Sequence, residues 1–160
     1  MGSEPDASGR LELSLPATGA GFARGFEELR QGLDRMGLEP RARFAVELVF
    51  EEVVANVVRH GTRPGTETRI VVQATPEGDS VRLTFLDDGV PFDPRQRPDP
   101  RPASDLEHAP TGGRGLMLIR SVSRSLEYLR TPEGQNRLTV VVPADAANGA
   151  RMSDGAPPGA

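Results

Sequence analysis

Between Pro40 and His60 the apolar residues Val46, Val49, Phe50, Val53 and Val57 recur at helical spacing, with Gly61 placed to stop the helix, while the segments on either side alternate apolar and polar residues. A chain patterned this way must build both helix and sheet and lay one on the other. Leu11, Leu13 and Leu15 read as a half-buried strand, followed by a turn over Pro16 to Gly21. Phe22, Phe26, Leu29, Leu33 and Met36 then form a first helical stripe that Gly37 can end. After the long helix, Ile70, Val71 and Val72 mark a strand, Pro76 to Asp79 a turn, and Val81, Leu83 and Phe85 a strand of strict alternation, which together predict an antiparallel hairpin. Residues 94–111 carry five prolines and several charges and predict one long loop. A further helix should open at the Gly-Gly-Arg-Gly run with Leu116, Leu118, Ile119 and Val122, followed by strands near Leu126–Arg130 and Arg137–Val142. The expected fold is α+β: a two-layer sandwich with a mixed, mostly antiparallel sheet and its helices on one face.

At 160 residues the chain fits one domain, expected over residues 10–143, with disordered ends at 1–9 and 144–160, where small and polar residues show no apolar periodicity. No apolar run approaches the roughly 18 residues of a membrane span, and the first residues lack a signal-peptide pattern, so the cytoplasm is the expected compartment, with no membrane partner. The net charge of -4 argues against direct nucleic-acid binding. The chain has no cysteine, which removes disulfides, thiolate metal sites and Cys nucleophiles. It also has no lysine, so a phosphate-binding loop with its Lys is impossible and any nucleotide site must use other chemistry.

Three short segments carry chemistry. In Glu51-Glu52-Val53-Val54-Ala55-Asn56, Glu52 and Asn56 share one helical strip at the edge of the apolar arc. A carboxylate and a carboxamide there suit a hydrated Mg²⁺, or Glu52 suits a general base, or both are solvated helix residues. In Phe85-Leu86-Asp87-Asp88-Gly89, Asp87 has the parity of Val81, Leu83 and Phe85 and therefore turns inward at the strand's end. A buried carboxylate needs a donor; an adenine amino group is one, with Gly89 allowing the base to approach the backbone, and an ordinary strand-ending turn is the alternative. In Thr111-Gly112-Gly113-Arg114-Gly115-Leu116, glycines lead directly into a helix whose free N–H groups suit phosphate oxygens, or simply follow a loose loop. The order and spacing of the three are rarer than any one of them.

In that order the segments resemble the N, G1 and G2 boxes of the Bergerat ATP-binding fold, and most closely the anti-sigma-factor serine/threonine kinases, over about Leu11 to Val142. The resemblance implies an ATP site in which Asn56 holds Mg²⁺, Glu52 is the catalytic base, Asp87 accepts from the adenine amino group and Gly89 shapes the base pocket. Gly112, Gly113, Arg114, Gly115 and Leu116 would meet the phosphates and close a lid formed by residues 94–111. Gly134 to Thr139 resembles the family's final glycine turn and strand, where a residue near Thr139 approaches the adenine. Pro91 stands where many members of the superfamily have a second glycine, and the Pro-Phe-Asp-Pro form matches the anti-sigma branch. His60 and His108 receive no chemical role.

The activity this implies is transfer of the ATP γ-phosphoryl group to a serine or threonine of an antagonist protein, combined with sequestration of a sigma factor, by a homodimer. Two other readings share the same binding motifs: a non-catalytic nucleotide-binding regulator that works by sequestering its partner, and a histidine-kinase-like ATPase domain, which would need a second chain to carry the phospho-acceptor histidine.

Overall fold

The computed structural model describes residues 5–96 and 114–144. Its elements run β1 (Leu11–Pro16), α1 (Gly19–Met36), α2 (Pro40–Asn56), a π-helical turn (Val57–Gly61), β2 (Arg69–Glu77), β3 (Ser80–Asp87), a short 3₁₀ turn (Pro94–Gln96), α3 (Arg114–Val122), β4 (Ser125–Arg130) and β5 (Asn136–Pro143). The five strands form one sheet in the order β1-β2-β3-β5-β4. Every pairing among them is antiparallel, so the mixed sheet expected from sequence is in fact antiparallel throughout the described residues. The cause is the connectivity: two hairpins flank the centre, and the loop-α3-β4 excursion brings β5 back beside β3 in the opposite direction.

Alternation along the strands decides the buried face. Leu11, Leu13 and Leu15, then Ile70, Val72 and Ala74, then Val81, Leu83 and Phe85, then Leu138, Val140 and Val142 all turn toward the helices. Against them α2 lays Val46, Val49, Phe50, Val53 and Val54, and α3 adds Leu116 and Ile119. Burying a side chain of this size contributes roughly 1.5–3 kcal/mol, so this single cluster dominates the stability of the domain.

Helix α1 begins where the Thr18 hydroxyl accepts from the Gly21 N–H at 3.0 Å, and it ends at Gly37, whose φ of 63° is the left-handed cap conformation. Its buried face includes Gly21, Gly25 and Gly32 as well as Leu29 and Leu33. A Cβ on Gly32 would collide with the Leu11 side chain, so these glycines let the helix lie close on β1. Phe22 and Phe26 fan against Phe50, with ring centroids 6.0 and 5.9 Å from it, and join the first helix to the second.

Three boundaries differ from the sequence expectation. Asp6 to Gly9 is a hydrogen-bonded turn, in which Asp6 Oδ1 accepts from the Ser8 and Arg10 N–H groups, so order begins before residue 10. The long helix is α-helical only as far as Asn56 and then widens into the π turn. The loop expected to start at Pro94 opens with the 3₁₀ turn, whose Arg95 pairs with Asp93 and lies over the Tyr128 ring, 5.9 Å from its centroid. The rest of that loop, most of the C-terminal tail and residues 1–4 lie outside the described residues. No helix among the described residues is long and apolar enough to cross a membrane.

Candidate functional site

The apolar arc of α2 delivers Asn56 to the end of the helix, at the point where the sheet's central strand, β3, also ends. A narrow cleft opens there, continuous with solvent. Val53, Val57, Phe85, Ile119 and Leu138 form its apolar walls, Phe92 and Pro94 its rim, and Asn56, Asp87, Tyr128 and Asn136 its polar groups. A largely apolar slot with a few convergent polar groups suits a flat heterocycle.

Asp87 is 6% exposed, as its inward parity requires. Its Oδ1 accepts from the Gly89 N–H at 3.0 Å and from Asn136 Nδ2 at 2.8 Å, whereas no described residue donates to Oδ2. Burial pushes the Asp87 carboxyl above the usual carboxylate range; the bonds from Asn136 and Gly89 and the Arg130 charge pull it back in part. Oδ1 of this carboxylate is therefore held by the protein, while Oδ2 has no donor among the described residues. Asp88, by contrast, turns out and accepts from the Arg69 N–H at 2.8 Å, holding the start of β2.

Gly89 is required by the chain's own packing. The loop after β3 folds onto the π turn, where the Val90 N–H donates to the Gly61 carbonyl at 2.9 Å, and a Cβ on Gly89 would strike that same carbonyl oxygen. The close approach made by Gly89 is thus to the chain's own backbone. π turns of this kind are frequent at functional sites because they re-aim the backbone groups that follow. Here the turn starts one residue after Asn56 and ends on the carbonyl that anchors the loop.

Glu52 lies one helical turn before Asn56 and does not line the cleft; its Oε2 lies against Gly115, in the first turn of α3, closely enough that a Cβ there would overlap it. The structure thus brings the Glu52 carboxylate to the opening of the helix that follows the glycine run. Arg114 is exposed at that opening, while Leu116 is buried. Gly112 and Gly113 lie outside the described residues.

Thr139 is not brought to the cleft. It alternates with Leu138 and Val140, which face the helices, and its own position is paired with Thr84 and Glu127 on the opposite face of the sheet. The residues of that strand that line the cleft are Leu138 and Asn136. The sequence reading passed over Asn136, together with Tyr128 and Phe92. The one available signal was the Gly134 turn, whose φ of 79° fixes where β5 begins.

No group of three or more His, Asp or Glu side chains among the described residues is arranged to hold a metal ion by itself. The oxygen of Asn56 at the cleft fits a different arrangement, in which Mg²⁺ takes one or two protein oxygens and fills its remaining positions with phosphate oxygens and water.

Comparison with known proteins agrees with this architecture. The family described as histidine kinase-like ATPase domain matches residues 15–142. The serine/threonine-protein kinase BtrW of Bordetella bronchiseptica is 35% identical over 140 residues, which is 88% of this chain and 94% of that protein. The solved structure of the RsbU and RsbW domains of a Mycobacterium tuberculosis protein shares the fold, with a TM-score of 0.59 at 20% identity, covering 84% of this chain and 32% of that one.

Proposed function

This chain belongs to the histidine kinase-like ATPase domain family, and from that premise we propose that it binds Mg-ATP in the cleft and transfers the γ-phosphoryl group to a serine or threonine of an antagonist protein, in the manner of an anti-sigma-factor kinase that also sequesters a sigma factor. The observation that carries the binding half is the buried Asp87, with Oδ1 filled and Oδ2 open to a slot of apolar walls. In this reading the adenine ring lies among the apolar lining residues Val53, Val57, Ile119 and Leu138, with its amino group donating to Oδ2. A donor supplied to an ionised acceptor in a partly dry site is worth roughly 1.5–3 kcal/mol.

From the base the nucleotide extends toward the end of α2 and the start of α3. Asn56 offers an oxygen for the metal, and the free N–H groups at the start of α3, with Arg114 beside them, face the phosphates. Bound Mg²⁺ neutralises charge that builds on the phosphoryl oxygens. Glu52, whose carboxylate lies beside Gly115 at the start of α3, is the base in this reading, and general-base chemistry contributes of order 10²–10⁴-fold. The remaining acceleration comes from alignment of the acceptor by the partner protein. Glu127 and Thr139 stand on the sheet face opposite the cleft and take no part.

The kinase reading is tested with γ-labelled ATP and the antagonist that co-purifies with the chain. Label should appear on a serine or threonine of the antagonist, and Glu52→Gln should slow transfer by about 10²–10⁴-fold while leaving Mg-ATP affinity within about threefold, as expected for a group that acts in the chemical step. Transfer that is unchanged in Glu52→Gln removes that residue from the chemistry. Tight Mg-ATP binding with no label on any protein favours the regulator that binds nucleotide without transferring it.

A further inference from the structure

Asn136 is 4% exposed, and both ends of its carboxamide are filled. Nδ2 donates to Asp87 Oδ1 at 2.8 Å and to the Val90 carbonyl at 2.9 Å; Oδ1 accepts from the Tyr128 hydroxyl at 2.6 Å, from Arg130 Nη1 at 2.9 Å and, more weakly, from the Phe92 N–H at 3.4 Å. Chemistry alone fixes which way the amide faces. A carbonyl only accepts, so the atom facing Val90 is the amino group; a guanidinium only donates, so the atom facing Arg130 is the oxygen. The group presented to Asp87 is therefore a donor. Arg130 Nη1 also reaches the Gly89 carbonyl at 3.2 Å, so one network ties β4, β5 and the loop after β3 around a single carboxylate.

The two oxygens of Asp87 are made unequal by this network. A guanine recognised by a carboxylate presents N1–H and the 2-amino group side by side and needs both oxygens; adenine presents one exocyclic amino donor and needs one. We propose that Asn136 sets the base preference of the site as a positioning residue: it takes the lone pair of Asp87 Oδ1 that the Gly89 N–H leaves, so that Oδ2 is the one acceptor remaining, which takes a 6-aminopurine and turns away a 2-amino-6-oxopurine. This inference rests on the nucleotide reading of the cleft given above.

The test is calorimetric titration of the full chain with Mg-ATP and with Mg-GTP, wild type against Asn136→Ala, with folding checked by circular dichroism. Removing one of the two donors to Oδ1, with the Gly89 N–H still in place, should lower the ratio of ATP to GTP affinity by about tenfold, the worth of one such hydrogen bond. The loss of adenosine affinity on acidification should also move to higher pH, because Asp87 loses a donor that favours its ionised form. A residue that merely supports the fold would weaken both nucleotides alike and leave the pH profile in place; either result in a folded variant overturns the proposal. Should Asn136→Ala not fold, Asn136→Val keeps strand propensity but has no donor for Oδ1 and must show the same fall in ratio. If the wild type itself binds neither nucleotide, or Asp87→Asn binds Mg-ATP normally, the adenine reading fails. If Asp87→Asn loses Mg-ATP but the Asn136 variants keep the wild-type ratio, only the role of Asn136 fails.

Discussion

The Asn136 amide donates to Asp87 Oδ1 across 2.8 Å, and the two residues are direct partners in the register of β5 on β3. That bond joins the end of the central strand to the start of its neighbour, and it faces the cleft where α2 and α3 meet the sheet. The consequences of a carboxylate that is buried, half-locked and half-open can be measured.

The stability of the apo domain should report on Asp87. Its folded-state pKa is raised, chiefly by burial, so between the unfolded value and the folded one the native state binds more protons than the unfolded state, and this group's contribution makes stability fall as pH rises through that window. Asp87→Asn removes the titration. Urea unfolding of the variant should show a midpoint at neutral pH equal to or above that of the wild type, and a smaller loss of stability between acid and neutral pH.

Ligand binding should have the opposite dependence. Protonation takes a lone pair from the open oxygen of Asp87 and removes its charge, leaving a weaker acceptor, so adenosine, which has no phosphate to titrate, should bind with constant affinity near neutrality and weaken as pH falls through the raised Asp87 pKa. The weakening should begin at a higher pH than an ordinary aspartate would give. Fluorescence or calorimetric titration across the acid range checks this, with Asp87→Asn as the flat control.

Gly89→Ala should destabilise the loop that frames the cleft, because the added methyl meets the Gly61 carbonyl, a backbone group that cannot swing aside. Overpacking of this kind costs about 1–3 kcal/mol. Chemical denaturation should show that loss, and Mg-ATP affinity should fall with it, since the same displacement moves the Gly89 N–H off Asp87 Oδ1.

In α1 two glycines should behave in opposite ways. Gly32 has Leu11 side-chain atoms where its Cβ would go, so Gly32→Ala should lower stability by roughly 1–2 kcal/mol despite the better helix propensity of alanine. Gly19 has nothing within 4 Å of the same position, so Gly19→Ala should be neutral or slightly stabilising. Thermal unfolding of the two variants gives the comparison.

Periodicity made the architecture legible. The stripe from Val46 to Val57 and the alternation through Val81, Leu83 and Phe85 state which faces are buried, and Asp87 inherits its burial from that alternation. The same rule places Thr139 away from the cleft, because Leu138 and Val140 face inward on either side of it; there a motif resemblance outweighed a parity that the sequence already displayed. Gly21, Gly25 and Gly32 fall at helical spacing, yet a glycine has no hydrophobicity to register and its contribution is closeness rather than burial of its own surface. The Asn136 network was not legible at all. Tyr128 and Arg130 of β4 and the Val90 carbonyl of the loop after β3 converge on it, and only the register of β4 on β5 and of β5 on β3 brings them together. The contact between Gly89 and Gly61 is likewise tertiary, set by the π turn that no local spacing announces.

The most direct test is isothermal titration of the wild-type chain and of Asp87→Asn with Mg-ATP, with both proteins shown to be folded. A saturable site with one nucleotide per chain in the wild type, weakened about 10- to 100-fold in Asp87→Asn, is the predicted result, as expected for loss of a hydrogen bond to a charged acceptor. No measurable binding to the folded wild type, or equal affinity in the two proteins, would contradict an adenine site built on Asp87.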